Sequence, residues 1–578
     1  MVWDQLQAIR KFKNLVDFIG DEGLFRTSDS IGKRLEQRFL DMQSSLYNEN
    51  DLMSTLVYSL NRFPPGFETF KKIKLIGHGD SLEGAERITS LARRYPAYVS
   101  PEGELLIYPR AEKYDLYDIL SRLQSVICAS REITKPLRNP LRRRRLRRTL
   151  GMDIETQMRT LSGLTDISYE KLIETDGKLA KELRGGLPRM LLTLADRNYG
   201  RFGFGSFDME FEITSGFREG SKSRSERRWA ENIRNVINEA GYNGRPLIVF
   251  SANLFTTLGV LSPYPRIKET IPVYEDGPDG QLPTAFETKP IIGIPPSVHR
   301  TEWLYRFYAE LQEHLADERN REEYAKANEH FMIPIPDRNE PGTGVDCQLF
   351  DLGAIDWNMT DPYLHPDLDF IENEQPLLLV MDYPFGETQA YNLITYLSFM
   401  ARPIVAFGAI GKAAGFSGMV GDVIIPNFFR KAQQKTTCDA HNIIEPDDGM
   451  SRFFGLNIER GTLSDGCGVG MSTLDGTFLG NQESYEYYLK QLQCPGGDME
   501  GTGLAMGIQS MVLTGRIANV PRAFAYYTSD VPTRAGEGLT SGSMSKEYGT
   551  RAVYGCTLTV LHHLLNPAAW NEVKYFMD

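Results

Sequence analysis

Between residues 376 and 426 the chain alternates strand and helix patterns. PLLLVMD (376–382) is a short apolar run bounded by turn signals, Gly386 opens the helix pattern TQAYNLITYLSFMA, and PIVAF (403–407) is a second apolar run. Strand, helix and strand at this spacing predict a parallel or mixed sheet covered by helices, because parallel neighbours need a crossover to connect them. The glycine-rich GAIGKAAGFSG (408–418) and a third run, VGDVIIP (420–426), come next. Further on, 498–513 reads as a helix, AFAYYTSD (523–530) as a strand ending in Ser-Asp, and 543–565 as a long amphipathic helix. Ligands on such sheets bind beyond the carboxyl ends of the strands, so residues 408–412 and Ser529-Asp530 are expected to face one crevice.

The earlier part of the chain has a different texture. Residues 35–53 and 114–126 carry helical apolar spacing, with short strand patterns at 72–76 and 105–108. Residues 136–148 hold seven arginines. A solvated helix face, a subunit contact and a site for an anionic effector all fit that run, since arginine forks suit phosphates; nucleic acid is not expected, because no stacking aromatics accompany it. The glycine-rich GRFGFGSFD (200–208) lacks both the lysine and the leading strand of a phosphate loop. PLIVFSAN (246–253) and KPIIGIPPS (289–297) resemble buried strands, 302–328 a charged helix, and 333–375 a Pro/Asp-rich connector. The expected division is an α+β, mostly helical region over 1–240, regulatory or oligomerising. An α/β domain of three α/β/α layers with a mixed sheet then spans 241–578, with its core at 376–578 and an insertion at about 300–375.

Composition narrows the setting. A hydrophobic share of 41% supports sizeable cores, and a net charge of −12 argues against a chain that coats nucleic acid. Six cysteines without a CxxC pair or metal-ligand spacing fit free thiols in a reducing, cytoplasmic setting, and no metal or organic cofactor is expected. No window approaches the ~18 apolar residues of a membrane span.

Four segments carry the chemistry. They are DYPFGETQAYNLITYL, GAIGKAAGFSGMVGDVIIP, Asp498-Met499-Glu500-Gly501 and Thr528-Ser529-Asp530. In that order and spacing they resemble the glycine turn, the glycine-rich strand-loop-strand, the Met-Glu ribose motif and the Ser-Asp motif of the nucleoside phosphorylase and nucleosidase superfamily. The GTLSDG segment (461–466), the Asp before Met-Glu and the SDVP sequence resemble its AMP nucleosidase branch most. The resemblance covers about 200 residues; it does not extend to the first 375.

The resemblance implies cleavage of a purine N-glycosidic bond. Glu500 would accept hydrogen bonds from the ribose hydroxyls and Met499 would pack under the sugar. Asp530, oriented by Ser529, would donate to nitrogen-7 of the base. Gly408 and Gly411 would form a turn lining the nucleophile side, and Gly386 and Glu387 would belong to the substrate turn. Without the resemblance, Glu500 reads as a carboxylate at a helix N-terminus and Asp530 as a turn cap. Lys412 replaces a family glycine, so it either grips a 5′-phosphate or faces solvent; Arg534 is a second candidate phosphate ligand. The arginine that phosphorylases of this type carry before the glycine turn is Val405-Ala406-Phe407 here. That tilts the expectation to water as nucleophile, hence hydrolysis of an AMP-like nucleotide to free base and ribose 5-phosphate. A phosphorylase using inorganic phosphate and a non-catalytic nucleotide sensor are the alternatives. For the water-activating base, Glu387 competes with a role at the helix start, and KPIIGIPPSVHR offers His299 and Arg300 instead of a glutamate. A homo-oligomer is expected, since sites in this superfamily are commonly completed by a neighbouring subunit.

Overall fold

The computed structural model describes most of residues 2–570, apart from the main segments 44–51, 89–94, 110–112, 219–223, 263–318, 338–341, 361–363, 432–435, 445–469, 475–481 and 534–545, and some isolated positions. KPIIGIPPSVHR with His299 and Arg300, most of 302–328, GTLSDG and Arg534 lie outside the described residues.

The chain forms two compact units. The first comprises Met1–Lys222 with Asp475–Tyr487 and Pro532–Ser541; the second comprises Ser223–Leu474, Tyr488–Val531 and Gly542–Asp578. The division therefore falls near residue 222 and not at 240, and the helix over Arg224–Glu239 counts with the second unit.

In the first unit, helices α1 (Val2–Glu22), α2 (Ser30–Gln43) and α3 (Leu52–Leu60) precede α4 (Lys113–Ile133). After them come α5 (Pro140–Thr149), α6 (Ile154–Leu164), α7 (Tyr169–Gly177), α8 (Leu187–Tyr199) and the short α9 (Ser215–Arg218). A six-stranded mixed sheet accompanies them, built from β1 (Leu24–Arg26), β2 (Lys72–Leu75), β3 (Glu86–Ile88), β4 (Ala97–Val99), β5 (Leu105–Ile107) and β6 (Glu210–Ile213) in the order β1-β6-β2-β5-β4-β3. Helix α4 is its core element: Leu116, Ile119, Leu120, Leu123, Val126 and Ile127 are all buried, and the helix packs against α1, α2, α3 and α8.

Two sequence features of this unit explain each other. The arginine run forms α5, whose inner stripe is Arg143, Leu146 and Thr149. Buried Arg143 donates to the carbonyls of Leu137 (2.8 Å), Arg138 (3.2 Å) and Gly200 (2.6 Å) and pairs with Asp196 at 3.0 Å. Arg138 donates to the Gly203 carbonyl at 3.1 Å. The carbonyls of Gly200 and Gly203 are thus held by arginines, and both glycines adopt a positive φ (58° and 84°) that favours glycine.

The second unit is the three-layer α/β/α domain. Its strands are β7 (Leu247–Ser251), β8 (Met332–Ile335), β9 (Cys347–Asp351), β10 (Leu377–Met381), β11 (Ile404–Gly415), β12 (Val423–Ile424), β13 (Phe428–Lys431), β14 (Thr436–Asp439), β15 (Gly470–Thr473), β16 (Gly496–Asp498) and β17 (Arg522–Asp530). The mixed sheet runs β14-β13-β15-β16-β11-β7-β10-β9-β8, with β17 against β11 and β12. The helices are α10 (Arg224–Glu239), α11 (Leu254–Leu261), α12 (Leu368–Glu374), α13 (Gly386–Leu397), α15 (Gly501–Leu513) and α16 (Lys546–Leu564); between the last strands of the sheet comes α14 (Gln482–Leu492), which straddles the division.

Every side chain of β7 and β10 is buried, as expected of parallel strands covered on both faces. Ile248, Phe250, Leu378 and Val380 pack with α11 and α16; Leu247, Val249, Leu377, Leu379 and Met381 pack with α10, α13 and α15. Full burial of each such side chain is worth about 2 kcal/mol. The stretch expected as a connector over 333–375 instead supplies most of β8 and all of β9; β9 pairs antiparallel with β10, and β8 pairs antiparallel with β9. Pro334 is tolerated because β8 is the edge strand, where a missing N–H breaks no inner ladder.

Candidate functional site

Strand β11 organises the site. One of its edges pairs in parallel with β17 from Phe407 to Ala414. Its other edge is shared: β7 pairs with it up to Ala409, opposite Ser251, and β16 pairs with it antiparallel at Ala414 and Gly415. The carboxyl ends of β7 and β16 therefore point towards one another across residues 410–413 of β11. That opening lies where β7, the earliest strand of the sheet, has β10 on one side and β11 on the other. A switch of this kind leaves a crevice at the strand ends.

The residues expected to form a Gly408–Gly411 turn lie inside one continuous twelve-residue strand, so the expected turn is corrected to extended backbone. These glycines serve close packing. A Cβ on Gly408 would stand 2.6 Å from Leu564 and 2.7 Å from Val560 of α16, and one on Gly411 would stand 2.6 Å from the Tyr526 ring. Lys412 is exposed within the opening.

Asp498, at the end of β16, is buried. Its Oδ1 accepts from Thr473 Oγ1 (2.9 Å) and its Oδ2 from the Gly501 amide (2.6 Å), so it closes the first turn of α15. Burial, followed by the neighbouring Glu500 charge, pushes the Asp498 carboxyl well above the usual carboxylate range, against the hydrogen bonds that favour its anion. Thr473 also receives the Thr502 amide (3.0 Å) and contacts the Thr502 hydroxyl (2.7 Å). In the sequence Asp498 stands out only as a family mark; the signal of its structural role is its place between Gly-Gly and a helix start.

Glu500 precedes α15 but its side chain does not cap it. Its Oε1 accepts from the Gly386 amide at 3.1 Å and its Oε2 from the Met499 amide at 3.3 Å. Gly386 has φ 76°, a conformation that favours glycine. Two motifs 114 residues apart in sequence thereby meet. Helices α13 and α15 touch because residue 503 is glycine: a Cβ there would stand 2.1 Å from the Glu387 carbonyl oxygen. The Glu387 carboxylate forms a largely buried ion pair with Lys431 of β13, a partner that nothing in the FFRK sequence announces.

On the β17 side, Ser529 and Asp530 lie at the strand end, where the register against β11 slips between Ala413 and Ala414. Ser529 Oγ donates to Asp530 Oδ1 at 2.8 Å and lies 3.3 Å from the Ala413 carbonyl. Asp530 and the Asp498-Met499-Glu500 run thus approach the same stretch of β11 from its two edges. Arg534 lies outside the described residues. Among the described residues no cluster of His, Cys, Asp and Glu could hold a metal ion, the five described cysteines are free, and no helix is long and apolar enough to cross a membrane.

Solved structures similar to part of this chain include three purine-handling enzymes. A 5′-methylthioadenosine/S-adenosylhomocysteine nucleosidase of Colwellia psychrerythraea, in complex with adenine, is 15% identical with a TM-score of 0.26, covering 42% of this chain and 89% of its own. AMP nucleosidase of Bacteroides thetaiotaomicron is 9% identical with a TM-score of 0.24, covering 52% and 90%. Purine nucleoside phosphorylase of Toxoplasma gondii, in complex with immucillin-H, is 11% identical with a TM-score of 0.28, covering 55% and 91%. No curated protein matches the chain. One family model spans residues 33–566, and the chain accordingly belongs to that family, a family of unknown function designated DUF6909.

Proposed function

We propose that the second unit hydrolyses the N-glycosidic bond of an AMP-like purine nucleotide, releasing the free base and ribose 5-phosphate. The observation that carries this reading is the Gly386 amide on the Glu500 carboxylate, 3.1 Å apart, at the opening over residues 410–413. It joins the substrate turn to the ribose motif, while Ser529-Asp530 approaches from the other edge of the same strand.

In this reading Glu500 holds the ribose hydroxyls and Met499 underlies the sugar. Asp530 protonates nitrogen-7, so that the base leaves neutral, and Ser529 Oγ orients it by donating to Oδ1. Lys412, exposed in the opening, is the cation for a 5′-phosphate. Glu387 supports the turn through Lys431 and is not the base. The first unit would serve regulation or assembly.

The test is base release from AMP, adenosine and inosine by the full chain, with and without inorganic phosphate. Release from AMP without phosphate is expected, together with a loss of about 100-fold or more in Asp530→Asn. Release that depends on phosphate would replace hydrolysis by phosphorolysis. Nucleotide binding without any release would leave a non-catalytic sensor.

A further inference from the structure

Hydrolysis at the proposed site requires a group that takes a proton from water as the glycosidic bond breaks, and most of the neighbouring carboxylates are already engaged. Both Glu500 oxygens accept amides, Asp498 holds the start of α15, and Glu387 is paired with Lys431. Strand β7 ends in Ser251-Ala252-Asn253 without a carboxylate, and Asn253 Oδ1 is used in capping α11, accepting from the amides of Phe255 and Thr256.

Asp382 is differently placed. It is the first residue beyond β10, whose Met381 is level with Ser251 at the end of β7, and Ala409 of β11 is level with the same Ser251. Asp382 and Lys412 therefore extend past β7 on its two sides, and the Lys412 charge acts on the Asp382 carboxyl. Asp382 Oδ1 accepts from the Tyr383 amide at 2.8 Å, and Oδ2 has no hydrogen-bond partner among the described residues. The loop from Asp382 to Gly386 carries this carboxylate at one end and the amide that binds Glu500 at the other.

We infer that Asp382 is the base that activates water in the hydrolysis proposed above, on which this inference rests. Oδ2 accepts a proton from water, and the water oxygen bonds to C1′ as the C1′–N bond breaks. The electron pair leaves with the purine, which takes its proton from Asp530; the two carboxyl groups then re-equilibrate with solvent. The surroundings of Asp382 favour a base that works near neutrality. Burial, against the Tyr383 amide and with Asp346 adding to it and Lys412 opposing it, pushes the carboxyl up to about 6. The other titratable groups that sense it are Cys347 of β9 and the buried phenols Tyr383 and Tyr527.

The experiment follows adenine release from AMP without phosphate by the full-length protein, by Asp382→Asn and by Asp382→Ala, each checked for folding by circular dichroism. Expected are an active parent whose kcat falls on the acid side with a midpoint near 6, a kcat loss of about 100-fold or more in Asp382→Asn with little change in KM, and rescue of Asp382→Ala by formate. An active parent with Asp382→Asn at the parental rate and pH profile overturns this assignment and leaves the hydrolase standing. So does a folded Asp382→Ala that formate does not rescue. A parent that is inactive, or that needs phosphate, overturns the hydrolase reading and the base with it.

Discussion

In the first unit, buried charges meet opposite ones. Arg122 Nη2 lies 2.6 Å from Asp118 Oδ2, which also accepts from the Tyr95 hydroxyl at 2.8 Å. Arg143 is surrounded by three carbonyls and Asp196. The second unit has such a pair in Glu387 and Lys431, but there carboxylates also lie close to one another: Asp498 is beside Glu500, and Asp382 senses Asp346. Opposite pairs hold a shape at neutral pH, whereas crowded carboxylates cost stability there. The glycines serve two purposes. Gly200 and Gly203 in the first unit and Gly386 in the second permit a positive φ, while Gly408, Gly411 and Gly503 make room for neighbours.

The largest effect is expected from Gly503→Ala, whose methyl would collide with the Glu387 backbone. It should cost about 3 kcal/mol in urea unfolding and separate the helices that bring Gly386 to Glu500. A loss below about 1 kcal/mol would mean that this contact yields, and would blur the distinction between the two kinds of glycine.

Next is Arg143→Met, which removes a buried cation from its carbonyls and from Asp196. Since Asp196 keeps Arg147, the expected cost is about 2 kcal/mol, less than for an isolated buried pair, and read best as a lower melting temperature. Unchanged stability would show that the loop holds itself.

The smallest effect is pH dependence. A carboxyl whose folded pKa is raised favours folding below its unfolded value, near 4, and loses that advantage as pH rises through its folded value. For Asp382 the window is about 4 to 6. Asp498 acts in the same direction. The second unit should therefore lose on the order of 1 kcal/mol across this window. Asp382→Asn should flatten the slope in thermal melts, and a slope that persists would place the titrating group elsewhere.

Much of the second unit was legible because buried parallel strands have a local signature. LLLVM, LIVFS and AFAYYTSD are apolar runs of strand length between turn residues, and each is a strand in the structure. Gly386, Glu500 and Asp530 were legible as motif members. The unread parts depend on tertiary contact. The extended state of 408–411 is set by α16 and Tyr526, which lie far along the chain. β8 and β9 looked like connector because Pro and Asp dominate their flanks. Asp382 went unnoticed because its significance comes from where β7 stops, which no local pattern encodes.

The central position of β7 also bears on how the chain comes to be folded. Leu247 is synthesised well over a hundred residues before either of its partners, Leu377 and Ile404. Until both emerge from the ribosome, an apolar strand waits with two unpaired edges, the arrangement that most invites intermolecular pairing. Closure of the sheet is then a late, long-range event, slow for reasons of chain entropy. Truncations ending before residue 404 should accordingly be prone to aggregation, and the crevice that makes the site cannot exist until β16, which ends at Asp498, has been made as well.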